Sequence, residues 1–441
     1  MLGRDNVLEI LRKAIEYCVA DVTQAAFGIG ESSLTRFANS VIHQNVSERN
    51  AGLAVKAVIG KRIGYATTNR LDERSVRAVV DRAVEFARHS RENPDFVSLP
   101  KPKPVSAVDT YDERTAACSP EERADAVAGM IAEACNVGAS AAGSLSNGCH
   151  EFAVANSLGV AAYNLSSSAS LTTVMSGDGG FGYADRVSQR VGDLDPIGAA
   201  VEAATRSVQS RNPESIEPGE YDVVLLPYAV SELVEALGYL GLGALAVQEG
   251  RSFMCGKFGQ KITGENVTIW DDGLDLRGLP RPFDAEGVPK QRVDLIVNGV
   301  ANAVVYDSYT ANKEGRESTG HSTGGVGTYG PMPANLFMQS GESSIGEMIA
   351  GTKKGILVTR FHYTNVIHPV LTVITGMTRD GTFLIENGKI TKSLKNLRFT
   401  DSILERLSNV ELISKETKRQ GWAVVPAIKA RAFRFTGATE F

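Results

Sequence analysis

The sequence has no pair of histidines one helical turn apart. A zinc peptidase of the usual kind projects two imidazoles and a glutamate general base from one helical face. Here the six histidines are His43, His89, His150, His321, His362 and His368, no HExxH or HExxxH occurs, and none lies between residues 151 and 320. The five cysteines, Cys18, Cys118, Cys135, Cys149 and Cys255, are odd in number and form no CxxC. That excludes a disulfide framework and a zinc knuckle and leaves reduced, buried thiols as the expectation. Basic excess is missing too. A net charge of −5 gives no broad positive field for nucleic acid or an anionic membrane, so neither is expected as a direct partner. No apolar run reaches the length of a membrane span, and the opening MLGRDNVLEILRKAIEYCVA lacks the unbroken apolar core of a signal peptide. The expected location is the cytoplasm.

What is present is ample core material: 441 residues, 43% hydrophobic and 22% charged, enough for two cores. The polar stretch RNPESIEPGE (211–220) marks the boundary between an N-terminal domain, 1–215, and a C-terminal domain, 216–441. The expected class is α+β. The N-terminal part is read as an α/β domain with a mixed sheet and flanking helices, and the C-terminal part as rich in antiparallel β-structure, barrel-like, with one long helix.

Val7, Leu8, Leu11, Ala14, Ile15, Cys18 and Val19 share one helical face. Short strands follow at 34–37, 41–47, 53–59 and 62–66. Asp72 caps a helix carrying Val76, Val79, Val80, Ala83, Val84 and Ala87. Four prolines between residues 91 and 118 predict an extended connector. Ser119-Pro120 with Glu122 forms a capping box, and Asp195-Pro196 opens a further helix. Gly-Tyr-Ala recurs at 64–66 and 182–184, each time before a helix, a sign of internal duplication. Past the boundary come the strand YDVVLL (221–226) and an apolar helix over about 230–247. Asn298-Gly299 and Asn387-Gly388 predict two hairpins with type I′ turns.

Three constellations could carry chemistry. His321, His362 and His368 could join in a non-helical metal site, though without diagnostic spacing. Gly320-His321-Ser322-Thr323-Gly324 has the form G-x-S-x-G, which would make Ser322 a nucleophile. The polar run before it and GGVGTYGPMP after it are not the strand and helix that elbow needs. Gly325-x-Gly327-x-x-Gly330 has the form of a dinucleotide fingerprint, but Pro331 and Pro333 stand where its helix would begin. The loop 315–335 reads equally as surface chain or as the lining of a substrate cleft.

Several stretches resemble one family, the TldD/PmbA proteins, also called modulators of DNA gyrase. They are LTRFANSVIHQNV (34–46), VANSLGV (154–160), PGEYDVVLLP (218–227), GRSFMCGKFGQKI (250–262), FDAEGVPKQRVDLIVNGV (283–300) and TGMTRDGTFLIENGKI (375–390). In the TldD-like branch the helix after the YDVVLLP-type strand carries HExxxH, and a cysteine near the C-terminus completes the metal site. Here that helix, YAVSELVEALGYLGLGALAVQEGRSF, has no histidine, and the last cysteine is Cys255. Glu249 stands near the lost motif, and a lone carboxylate cannot hold catalytic zinc. The chain therefore resembles the PmbA (TldE) branch.

The resemblance implies a two-subunit architecture enclosing a peptide cavity. It implies no cofactor in this chain, zinc being held by a TldD-like partner, and no catalytic residue is carried over. Partners would be a TldD-like catalytic subunit or a second copy, with an extended peptide as substrate. The rival reading is a stand-alone hydrolase using His321, His362, His368 or Ser322. Cavity-lining candidates are Gly320, His321, Ser322 and Gly324, together with Arg360, His362, Tyr363 and Asn365 of VTRFHYTN (358–365), and Glu249.

Overall fold

A computed structural model of the chain describes residues 1–324 and 330–438. Six strands make the first sheet: β1 (Val22–Ala38), β2 (Val41–Ile59), β3 (Arg62–Thr68), β4 (Ser140–Asn156), β5 (Ala161–Gly177) and β6 (Gly180–Ser188). Their order is β3-β2-β1-β4-β5-β6. The expected mixed sheet is antiparallel at every pairing, because each strand returns through a tight turn and only the β3–β4 link is long. The short strands expected at 41–47 and 53–59 are one strand, since residues 48–52 keep pairing with β1.

The order is symmetric about the β1–β4 pair, and the repeated Gly-Tyr-Ala explains how. Helix α1 (Arg4–Tyr17) and helix α2 (Glu73–His89) cover the first half-sheet. A short helix α3 (Glu113–Ala117), helix α4 (Pro120–Asn136) and helix α5 (Pro196–Gln209) follow, with α4 and α5 covering the second. A methyl group on Gly64 would stand 2.0 Å from the Ala83 carbonyl of α2, and one on Gly182 would stand 1.9 Å from the Ala203 carbonyl of α5. Each half therefore uses a glycine to seat a helix directly on its third strand.

Local signals hold where they rest on hydrogen bonds. Asp72 accepts from Ser75 N at 3.0 Å, Ser119 and Glu122 form the reciprocal box, and Asp195 accepts from Gly198 N at 3.0 Å. All six apolar residues expected on α2 are buried. On α1 the buried set is Val7, Leu11 and Ala14, whereas Val19 is 75% exposed because the helix ends at Tyr17. The connector from 91 is extended until Asp112 caps α3. The cysteines are free thiols, of which Cys149 is buried and Cys135 exposed.

The second sheet holds β7 (Gly219–Leu225), β8 (Ile269–Asp271), β9 (Val293–Val297), β10 (Val300–Ala301), β11 (Leu336–Met338), β12 (Lys354–His368), β13 (Val373–Glu386), β14 (Lys389–Ser393), β15 (Leu397–Ser402), β16 (Val410–Gln420) and β17 (Ala423–Ala438). It is mostly antiparallel, with parallel pairs β7–β12 and β11–β17. Pairing runs β7–β12–β13–β15–β17 and returns to β7. Asn298-Gly299 and Asn387-Gly388 all have positive φ, as type I′ turns require.

Helix α6 (Pro227–Gly241) follows β7, but it does not run to residue 247. The chain breaks at 242–243 and resumes as a separate turn of helix, Ala244–Gln248. At Gly243 the backbone passes so close to the Pro331 carbonyl that a methyl group would lie 2.1 Å from its oxygen.

Candidate functional site

In β1 the side chains alternate between two environments. Ala25, Phe27 and Ile29 pack beneath α1 and α2, so Gln24, Ala26 and Gly28 face the other way. On that open face lies a cleft of about 1200 Å³. Its floor includes Lys56 and Ala54 of β2, Tyr65 and Thr67 of β3, and Phe152, Asn164, Ser166 and Ser168 of β4 and β5. The opposite wall is loop chain from the second sheet: 279–285, 321–324, 332–334 and Trp422. Wall and floor touch at Phe283, whose ring stacks on Phe152 with centroids 5.9 Å apart, and at Gln24, whose Nε2 donates to the Ala285 carbonyl at 3.3 Å.

Buried carboxylates hold the wall in shape. Asp284 accepts from Glu286 N and Val288 N at 2.9 Å each and from Ser322 N at 2.8 Å, which ties the 284–288 turn to the glycine-rich loop. Burial and the nearby Glu286 push its carboxyl up to about 7. Asp271, at the end of β8, accepts from Ala334 N and Asn335 N at 2.7 Å each and bonds His321 Nε2 at 2.7 Å. An ionised carboxylate can only accept, so Nε2 carries the proton. His321 Nδ1 lies 2.9 Å from Thr319 Oγ1. Burial and the Lys290 charge hold the imidazole below its ordinary range. Burial works against the charge of Asp271, but its bonds from His321 and Asn335 outweigh it, and the group titrates below its usual value.

His321, Ser322 and Gly324 thus line the cleft, and Gly320 lies behind it with its backbone against Pro289 and Lys290. Gly325 and Gly327 lie outside the described residues. Among the described residues Ser322 meets no base: both nitrogens of His321 are engaged elsewhere, and Ser322 Oγ accepts a 3.4 Å contact from Gly324 N. Among the described residues around it there is neither the strand nor the helix of a nucleophile elbow.

The three-histidine metal site does not assemble. His321 is sealed at the cleft base, while His362 stands edge-on to Tyr363 on β12 and His368 accepts from Leu371 N. Among the described residues no three of His, Cys, Asp and Glu gather as metal ligands. The other β12 candidates also lie away from the cleft. Arg360 bonds Asp380 at 2.6 Å and lies over the Tyr183 ring, tying the two sheets together. Asn365 bonds the Tyr363 carbonyl, and Tyr363 is 74% exposed. Glu249 pairs with Arg251. None of them is among the residues that line the cleft.

Sequence reasoning missed Lys56, Arg281 and Lys290, the cations of the cleft, and the anchoring acids Asp271 and Asp284. Asp284 and Lys290 sat within FDAEGVPKQR, a stretch noticed for its resemblance and not for its charges. A second hollow of about 510 Å³ lies along the seam between the sheets. There Glu202 of α5 meets Arg186 at 2.8 Å, Arg206 at 3.4 Å and Lys418 at 3.3 Å. Its charges answer one another, as in an internal joint.

The fold and cleft define a two-sheet α+β protein with a roomy groove between an open antiparallel face and glycine-rich loops. Residues 218–437 match the family model described as PmbA/TldA metallopeptidase C-terminal domain, and residues 26–87 match PmbA/TldA metallopeptidase domain 1. The chain belongs to the PmbA/TldD family. It is 25% identical to "Metalloprotease PmbA" of Escherichia coli O157:H7 over 96% of this chain and 97% of that one. It is 28% identical to a "Metalloprotease" of Methanothermobacter thermautotrophicus, but that match takes in 54% of this chain and about half, 51%, of the relative. The crystal structure of TldE from Thermococcus kodakarensis superposes with a TM-score of 0.89 at 21% identity, covering 98% of this chain and all of that one.

Proposed function

We propose that this chain is the non-catalytic, peptide-binding subunit of a TldD/TldE-type peptide-processing complex in the cytoplasm. The observation that carries the reading is the cleft: about 1200 Å³ of groove, floored by an antiparallel sheet and walled by loops whose carboxylates are spent on backbone N–H groups. Such a groove has the room and the polar lining, Asn164, Ser166 and Ser168 among it, to hold an extended peptide, and among the described residues it presents no nucleophile paired with a base. The helix that follows the PGEYDVVLLP strand lacks histidine altogether, which supports assigning the chemistry to a partner. The units 1–215 and 216–441 would act as floor and wall.

An apolar set at the end of β12 supports a partner. Tyr363 (74%), Ile367 (60%) and Leu371 (58%) are exposed together around the β12–β13 turn. Co-expression with a TldD-like protein tests the proposal. The expected result is a co-purifying complex whose peptidase activity exceeds that of either chain. Full activity in the TldD-like protein alone, with no complex, would count against it.

A further inference from the structure

We infer that the cleft recognises a carboxylate group of its peptide through Lys290 and Arg281, with Lys56 on the facing floor. This rests on reading the cleft as the peptide site. The wall and floor carry these three cations and one acid, Asp284, besides the histidines. The acid is already capped by three backbone N–H groups. No side-chain hydrogen bond or ion pair engages Lys56, Arg281 or Lys290 among the described residues.

Lys290 is the strongest of the three observations. It is only 8% exposed, it lines the cleft, and its amine has no partner. A desolvated ammonium is costly unless a counter-charge reaches it. Burial holds the amine below its ordinary range while Asp271 and Asp284 pull it back up. Their oxygens serve His321 and backbone donors and neither closes an ion pair on the amine, so a carboxylate arriving with the ligand favours its charged form. Its stem is fixed. A methyl group on Gly273 would meet Lys290 Cγ at 2.6 Å, and one on Gly320 would meet Lys290 Cα at 3.0 Å. Gly273 thus leaves room for the stem, and Gly320 for the backbone that carries it.

Arg281 is exposed on the same wall, and its charge reaches His150 across the cleft, whose imidazole is held down by burial first and by Arg281 second. The contrast with the seam hollow is direct. There three cations share Glu202; here the complementary anion must come with the ligand. A peptide supplies one in two ways, as its terminal carboxylate or as an acidic side chain.

Fluorescence anisotropy on the full chain, alone and with a TldD-like partner, separates these. The probes are a short labelled peptide of neutral residues with a free C-terminus, the same peptide amidated, and the amidated form with one internal glutamate. One of the carboxylate-bearing forms is expected to bind at least about tenfold more tightly than the neutral amide, as for a charge-assisted pair. Lys290→Met and Arg281→Gln should each erase that advantage, so that the carboxylate-bearing and neutral peptides bind the variant alike. Arg281 is a surface side chain, so its variant reads the result even if Lys290→Met fails to fold. Equal binding of all three peptides, or an advantage that survives Arg281→Gln and a folded Lys290→Met, overturns carboxylate recognition and leaves the peptide cleft intact. No binding of any peptide overturns both.

Discussion

Asp271 Oδ1 and His321 Nε2 stand 2.7 Å apart, with both side chains fully shielded from solvent. The pair fixes the glycine-rich loop to the end of β8 and so sets the shape of the cleft wall. Asp271→Asn leaves one carbonyl oxygen where a carboxylate served three donors, and is expected to cost about 3 kcal/mol, measured by urea unfolding. Both groups titrate below their ordinary values, so the unfolded chain binds more protons. Their contribution is full above the unfolded values and is lost as pH falls, first through the histidine range below about 6.5 and then through the carboxylate range below about 4. The His321→Asn variant should show a flatter stability profile between about pH 7 and 5 than the parent chain.

Glu235 of α6 has the opposite sign. Burial raises its carboxyl to about 7, against the pull of the Trp422 N–H that bonds it at 2.9 Å. The folded state holds its proton more firmly than the unfolded state, so stability declines as pH rises from about 4.3 to about 7 and levels off above. Glutamine keeps the acceptor and has no proton to lose. Glu235→Gln is expected to match the parent near pH 4 and to exceed it by roughly 3 kcal/mol at pH 8, read from thermal or urea unfolding across that range.

The duplicated glycines predict paired effects. Gly64→Ala and Gly182→Ala each place a methyl group about where a helix carbonyl already stands. Each is expected to cost about 2 to 3 kcal/mol through displacement of α2 or α5. Similar losses at the two sites, measured by chemical unfolding, would accord with equivalent helix seating in the two halves.

Arg360 and Asp380 join β12 to β13, and Arg360 also covers Tyr183 of the other sheet. Asp380 is 3% exposed. Arg360→Ala therefore leaves a buried carboxylate with only Arg379, 3.9 Å away, and should cost about 3 kcal/mol, whereas replacing Arg360 and Asp380 with well-packed apolar residues should recover much of that loss.

At the end of β12, Ile367→Lys places a charge in the exposed apolar set without touching the core. If that set contacts a subunit, the variant should keep its melting temperature and lose the complex with a TldD-like protein on gel filtration. Retention of the complex would move the contact elsewhere.

The sequence by itself determined what short-range physics dictates. The caps at Asp72, Ser119 and Asp195 follow from which side chains can satisfy free N–H groups, and the turns at Asn298-Gly299 and Asn387-Gly388 follow from which residues tolerate positive φ. The repeated Gly-Tyr-Ala announced the two-fold arrangement of the first sheet, and the spacing of the six histidines leaves no HExxH or HExxxH. Tertiary structure decided everything that depends on approach between distant segments. Pairing directions, the fusion of two expected strands into β2 and the break of α6 against Pro331 are of that kind. So is the cleft. The β1–β2 register sets Gln24 beside Lys56 on one face, loops from residues 279–334 stand opposite, and Lys290 is left there without a counter-charge among the described residues. From the sequence His321 reads as a metal ligand or a cavity-lining residue; a partner 50 residues away, Asp271, makes it a buried brace for the wall. A side chain's chemistry is written in its type, whereas its use depends on which donors and charges the fold brings within reach.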